Sequence, residues 1–327
     1  MRIAAALIAL FVAACGEAKP PSSSEPLEIP LLQAVPLPEG GRIAIDGRSA
    51  DGIWKQARPV RVTLEGEGPT EVTLQAAYDQ SAIFLLAQWR DEEPSLDRYW
   101  HYLGGAKWRL SEKEDGFSVC WAPGELEDAF REQGCTLFCH DGKHVYPAKD
   151  QGFADFWYWG AQRTNKMGQA IDMWLPFGSN GRLRGDGQPE GSGIEPNIST
   201  DYHGPRYAPK RVGAERTPFL TWDNTQTLTE DILLHRLSSS ARPGWRIPCD
   251  VMRGMLGSRG DVMAAGQHVR DGWVLELARK LDTGHLDDKP VGDPLISFYF
   301  TVAIHDNSGG AAHAISGPIE LQFVSKR

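Results

Sequence analysis

The stretch Val72-Thr73-Leu74-Gln75-Ala76-Ala77-Tyr78-Asp79-Gln80-Ser81-Ala82-Ile83-Phe84-Leu85-Leu86-Ala87-Gln88-Trp89 decides the fold. Its first half alternates with period two, Asp79-Gln80-Ser81 supplies turn chemistry, and Ile83 to Trp89 is a second β-rich run. Upstream, Val60-Arg61-Val62-Thr63-Leu64 repeats the alternation. Ile43-Ala44-Ile45-Asp46-Gly47 reads as a strand and turn, and Asp51-Gly52-Ile53-Trp54 as a helical turn that packs a Trp. Downstream, strands are expected at Gly116 to Trp121, Gly272 to Arg279, Ile296 to Ile304 and Ile319 to Val324. No βαβ alternation and no internal repeat is present in the sequence. Short strands punctuated by Gly and Asp predict an all-β fold, an antiparallel β-sandwich. The 35 Gly and 22 Pro agree with a turn-rich chain. From 178 to 245 the composition shifts to Gly-rich loops with Pro189, Pro196, Pro205, Pro209 and Pro218, which reads as one long irregular insertion. Long loops of that kind in a compact fold commonly serve as covers or binding loops.

The 327 residues are enough for one large domain or two ordinary ones. A 41% hydrophobic and 24% charged composition excludes wholesale disorder. The net charge of -9 argues against nucleic acid as a partner, because phosphate binding needs a basic face.

The N-terminus reads as an address. Arg2 precedes an unbroken apolar run of twelve residues, Ile3 to Ala14. That is shorter than the roughly 20 residues a membrane span needs, but it suits a signal peptide. The run ends Val12-Ala13-Ala14-Cys15-Gly16, and small residues before a Cys resemble the bacterial lipobox. The reading is therefore a signal peptide over 1–14, lipidation at Cys15, a Pro/Ser-rich tether over 15–39 and a folded domain over 40–327. No Asp follows the Cys, which favours outer-membrane over inner-membrane sorting in the bacterial cell envelope, facing the periplasm. In an exported chain Cys120, Cys135, Cys139 and Cys249 are candidates for disulfides or covalent cofactor links. Whether Cys120 and Cys249 pair is left open by the sequence.

The chemical centre is Cys135-Thr136-Leu137-Phe138-Cys139-His140. Two Cys followed directly by His resemble the attachment site of c-type haem, where the thiols add to the porphyrin vinyls and the His takes an axial position. Here three residues separate the thiols instead of the usual two. A small disulfide loop beside a non-covalent haem, a zinc site using His140 and His144, and plain structural thiols compete with that reading. Trp157 and Trp159, in Asp155-Phe156-Trp157-Tyr158-Trp159, make a poor zinc shell and a good porphyrin wall. His313, at the end of the glycine-rich stretch Asp306-Asn307-Ser308-Gly309-Gly310-Ala311-Ala312-His313, is the best second ligand, with His305 its rival.

These stretches resemble the haem-binding subunit family of ethylbenzene dehydrogenase and related type II dimethyl-sulfoxide-reductase enzymes. The similarity includes Ile45-Asp46-Gly47…Trp54, Tyr78-Asp79…Trp89, Gly134-Cys135…Cys139-His140, Gly257-Ser258-Arg259-Gly260-Asp261-Val262 and Arg279-Lys280-Leu281-Asp282-Thr283-Gly284. The resemblance implies a sandwich related to carbohydrate-binding (DOMON-like) domains, with one haem between end loops. In the best-known members the haem is b-type with Met and Lys ligands. Those positions fall near His144 and His313 here, so the resemblance implies bis-His iron and a lower potential. If the haem is instead c-type, His140 is proximal, and His313 is the partner in both versions.

A six-coordinate haem has no open site for substrate, so the expected role is one-electron transfer and not catalysis. The expected partners are the membrane, through the lipid anchor, and a redox protein: a molybdenum oxidoreductase or a respiratory cytochrome. The alternative is a haem-free carbohydrate-binding module in which Trp89, Trp100 or Trp108 stacks on a sugar. A hydrolase is disfavoured, since neither a Gly-x-Ser-x-Gly elbow nor a zincin helix is present.

Overall fold

The computed structural model describes residues 28–105, 107–138, 153–176, 193–201, 203–210, 219–229, 244–293, 295–309 and 312–325. In chain order the strands are β1 (Leu31–Pro36), β2 (Val60–Gly66), β3 (Glu71–Tyr78), β4 (Ala82–Arg90), β5 (Leu96–Gly104), β6 (Lys107–Glu114) and β7 (Gly116–Trp121). One helix, α1 (Glu127–Gln133), and a 3₁₀ turn at Gly134–Phe138 follow. Then come β8 (Phe153–Gly160), β9 (Ile171–Pro176), β10 (Ile194–Pro196), β11 (Tyr207–Pro209), β12 (Leu220–Thr221), β13 (Thr225–Thr227), β14 (Arg246–Pro248) and β15 (Asp250–Met252). The chain closes with β16 (Met263–Val269), β17 (Gly272–Lys280), β18 (Phe298–His305), β19 (Ala314–Ser316) and β20 (Ile319–Phe323).

The all-β expectation holds. One layer runs β16-β17-β4-β3 and the other β18-β7-β8-β9, with β1 and β20 linking them into a continuous sheet. A second link passes through β2 and β19. At the far edges the layers meet in a bridge between Gln169 and Met263. The period-two pattern has the expected consequence: Val72, Leu74, Ala76, Leu85, Ala87 and Trp89 point inward from one layer. Phe117, Val119, Trp121, Phe300, Val302 and Ile304 answer from the other. Burial of each large apolar side chain in such a core stabilises the fold by about 1.5–3 kcal/mol.

Three local expectations change. Leu31 to Pro36, read as tether, is a strand inserted parallel to both β3 and β20, with Leu32 and Ala34 fully buried. Its proline sits at the strand end, where no ladder bond is lost. Ile43-Ala44-Ile45 is not a strand. Its neighbourhood is held by a buried carboxylate: Glu276 accepts bonds from the Asp46 and Gly47 amides at 3.0 and 2.8 Å and from Trp54 Nε1 at 2.9 Å. Where a side chain satisfies the amides, no ladder is needed. The insertion is also more ordered than its composition suggests. Its described segments form β10 to β13, and the hairpin β5–β6 pairs with β14. Around them Trp100, Ala208, Leu220, Ile247, Cys249 and Val251 make a second small core.

Among the described residues no helix is long and apolar enough to cross a membrane. Residues 1–27, with Cys15, lie outside the described residues.

Candidate functional site

Strand parity divides β7, β8 and β18 into two faces. Phe117, Val119 and Trp121 face the inter-sheet core, so Ser118 and Cys120 face out. In register with them, Tyr299 and His305 face out from β18. On β8 the outward side chains are Phe156 and Tyr158. Trp157 and Trp159, expected as a porphyrin wall, turn inward instead, and both are fully buried. Their rings pack at 5.4 Å from Trp121 and 5.2 Å from Trp273, respectively. The outward aromatic surface comes from their neighbours Phe156 and Tyr158.

The lower end of this outer face is covered by α1 and the 3₁₀ turn that carries Cys135. Cys135 and Leu137 pack against Cys120, Ala122, Phe130, Ala154 and Tyr299. Burial pushes the Cys120 thiol up, and the nearby Cys135 and Asp155 add to the shift. Cys120 and Cys249 do not pair: one lies under this turn, the other in the insertion core. Cys139, His140 and His144 lie outside the described residues.

The upper end of the face brings a pair of histidines together. His305 is buried, and its Nε2 lies 3.1 Å from Ser118 Oγ. Its ring stands edge-on to Tyr158 at 5.3 Å and tilted against His313 at 5.2 Å. Burial, with the facing His313 and Arg163, lowers the His305 pKa to about 3, so the imidazole is neutral at pH 7. His313 is half-buried beside the buried His305. Along β7, Gly116 (paired with His305) and Cys120 (beneath Cys135) are four residues apart, roughly 13 Å at strand rise. The His pair and the Cys turn therefore share one face.

Beside the histidines is a buried ion network that the sequence reading missed. Glu114 is fully buried and accepts from Gln162 N at 2.8 Å, Arg163 N at 2.6 Å and Arg163 Nε at 2.7 Å. Arg163 also donates to the Tyr158 hydroxyl at 3.0 Å and to Gly309 O at 3.2 Å. Burial raises the Tyr158 pKa to about 12. Arg98 bonds Asp250 at 2.9 Å and lies 3.9 Å from Glu114. This network anchors the loop through Gly309 that leads to His313.

The residues fit a haem in their chemistry. The face offers imidazoles, one of them held neutral, a thiol-bearing turn and apolar or aromatic neighbours. The tryptophans offered for sugar stacking are placed otherwise: Trp89 and Trp100 are buried in the two cores, and Trp108 packs on Tyr102 at 4.9 Å and Trp245 at 5.8 Å.

Sequence reading also missed a buried acidic cluster between the sheets, formed by Asp155, Asp172 and Asp288. Its signal was parity: Asp155 shares the inward face of β8 with Trp157, and Asp172 lies opposite Trp157 on β9.

The family model described as ethylbenzene dehydrogenase matches residues 51–314. No curated protein matches the chain. Among solved structures, similarity extends to a family 9 carbohydrate-binding module from Caldicellulosiruptor kristjanssonii in complex with glucose. That match has 9% identity and a TM-score of 0.35, covering 90% of this chain and 97% of that one. A putative carbohydrate-binding protein from Bacteroides uniformis matches at 8% identity and a TM-score of 0.36, covering 91% and 100%.

Proposed function

The chain belongs to the ethylbenzene dehydrogenase family, and from that premise we propose that it is an exported, membrane-tethered cytochrome that passes single electrons. The observation that carries this reading is the contacting, tilted pair His305–His313 on the face that also bears the Cys135 turn. His313 would be one of the side chains that hold the haem iron. The other ligand would come from the segment after Cys135, as His144 for a b-type haem or His140 for a c-type haem linked through Cys135 and Cys139. The haem would supply one-electron redox chemistry, held by these protein side chains. His305 is a positioning residue: it is buried, neutral and held by Ser118, and its ring backs that of His313. Arg163 holds the loop below His313 through Gly309 O and supplies a fixed positive charge close to the histidines.

In this reading Cys15 carries the lipid anchor, in the periplasm-facing envelope and at the outer membrane by preference. The redox partner is a molybdenum oxidoreductase or a respiratory cytochrome, and the chain itself is a carrier and not a catalyst.

The test is a reduced pyridine-haemochrome spectrum of the full chain from a haem-competent host, before and after acid-acetone extraction. A band that stays with the protein means a link through Cys135 and Cys139; a band that leaves means haem b. A colourless protein overturns the cytochrome reading in favour of a sugar-binding module. His313→Ala is expected to convert a low-spin spectrum to high-spin, and an unchanged spectrum removes His313 from the ligand set. Cys15→Ala is expected to move the protein out of the membrane fraction.

A further inference from the structure

We propose that the buried cluster of Asp155, Asp172 and Asp288 between the sheets is a binding site for a hard divalent cation, calcium by preference. The inference does not rest on the haem reading, because these side chains lie inside the sandwich and not on the outer face of β7, β8 and β18.

One oxygen from each of the three carboxylates lies within 4.8 Å of the others, and all three residues are buried. Buried carboxylates in folded proteins normally find donors. Here four oxygens find none among the described residues: Asp155 Oδ1, both oxygens of Asp172, and Asp288 Oδ2. Asp172 is the independent observation. Its side chain is 1% exposed, neither oxygen accepts a hydrogen bond, and one oxygen is within 4.8 Å of the other two acids.

The charge count points the same way. Among the described residues, the cation within the cluster is Arg279, stacked over Trp157 at 4.7 Å. It donates to Asp155 Oδ2 at 2.5 Å and to Lys289 O at 2.5 Å, and stands 3.6 Å from Asp172. When all three carboxylates are ionised, the one guanidinium leaves two negative charges in a medium that penalises each unpaired one by several kcal/mol. A divalent ion cancels that remainder. The oxygens open to it are those that Arg279 does not hydrogen-bond. An oxygen-only donor set suits calcium or magnesium over zinc, and an irregular cluster drawn from two strands and a loop suits calcium's flexible coordination over magnesium's strict octahedron. Asp288 also lies 3.8 Å from His285, with which it and Asp261 form a more exposed trio.

The trio Asp91–Asp115–Asp306 lacks this signature. Asp115 accepts from Ser95 N at 2.6 Å, Asn307 N at 3.0 Å and Trp273 Nε1 at 3.2 Å, so its oxygens are spoken for.

The test uses the full chain stripped with EDTA. Addition of CaCl2 is expected to raise Tm. Added Tb3+ is expected to luminesce on tryptophan excitation, with Trp157 as the adjacent donor, and CaCl2 is expected to quench that signal by competition. Asp172→Asn should abolish both responses, and Asp288→Asn is the second variant should the first fail to fold. The proposal is overturned if the stripped wild-type chain answers to neither ion, or if either folded variant keeps both responses. A Tm rise with ZnCl2 or MgCl2 but not CaCl2 overturns the calcium assignment.

Discussion

Glu114 and Asp172 are both carboxylates in the interior of the protein, and they are treated in opposite ways. Glu114 accepts two backbone amides and a guanidinium, and its charge is answered by Arg163 and Arg98. Asp172 accepts nothing and faces two further acids with one arginine among them. The first region is closed: its ions are consumed in holding the loop behind His313. The second is open: its charge exceeds its partners. Burial alone does not distinguish a structural acid from a ligand; the number of donors within reach does.

The contrast can be broken most forcefully at Glu114. Glu114→Ala leaves the buried Arg98 and the partly buried Arg163 without their shared partner and is expected to cost about 3–5 kcal/mol, since stripping one member from a buried pair strands the other. Urea unfolding measures it. A loss under about 1 kcal/mol would mean that the network is not closed. Gly160→Ala is expected to cost about 1–3 kcal/mol by overpacking, because a Cβ there would stand 2.8 Å from the Glu114 carboxylate. The same unfolding curve reads it.

The pH dependence sharpens the open side. Asp172 is held well above the usual carboxylate range by burial first, then by Asp155, with Arg279 opposing. Burial likewise pushes Asp288 up to about 6. A carboxylate whose folded pKa is raised keeps its proton in the folded state, so stability is greatest below the unfolded value near 3.8 and is lost as pH rises through the folded value. The EDTA-stripped chain should therefore lose stability as pH rises from about 4 through 6, while the Tm rise with CaCl2 should be larger at about pH 8 than at about pH 5. The groups facing these acids are Asp155, Asp261, Arg279, His285 and Asp287. A calcium effect that is flat with pH would detach the ion from these residues. The smallest effect is expected at the half-exposed Asp97, bonded to Arg246 at 3.2 Å: Asp97→Asn should change stability by less than about 1 kcal/mol.

The strands from Val60 to Trp89 and from Phe298 onward were legible because alternation along one chain records which face is buried. The inner strand at Leu31–Pro36 was not, because Leu-Leu-Gln-Ala-Val-Pro beside a proline-rich stretch carries the composition of a spacer. Its strand character comes from two parallel neighbours distant in sequence. Trp157 and Trp159 were legible as important aromatics but not as inward ones, since parity is defined only once the register with β7 is known.

The sequence by itself determined the β class and the Cys-to-His segment after Gly134, because each is written in neighbouring residues. Only the tertiary structure decided that His305 backs His313 and that Asp155, Asp172 and Asp288 converge. Those groups sit on separate strands and loops, and the distance between them is set by sheet register and closure, which no local pattern encodes.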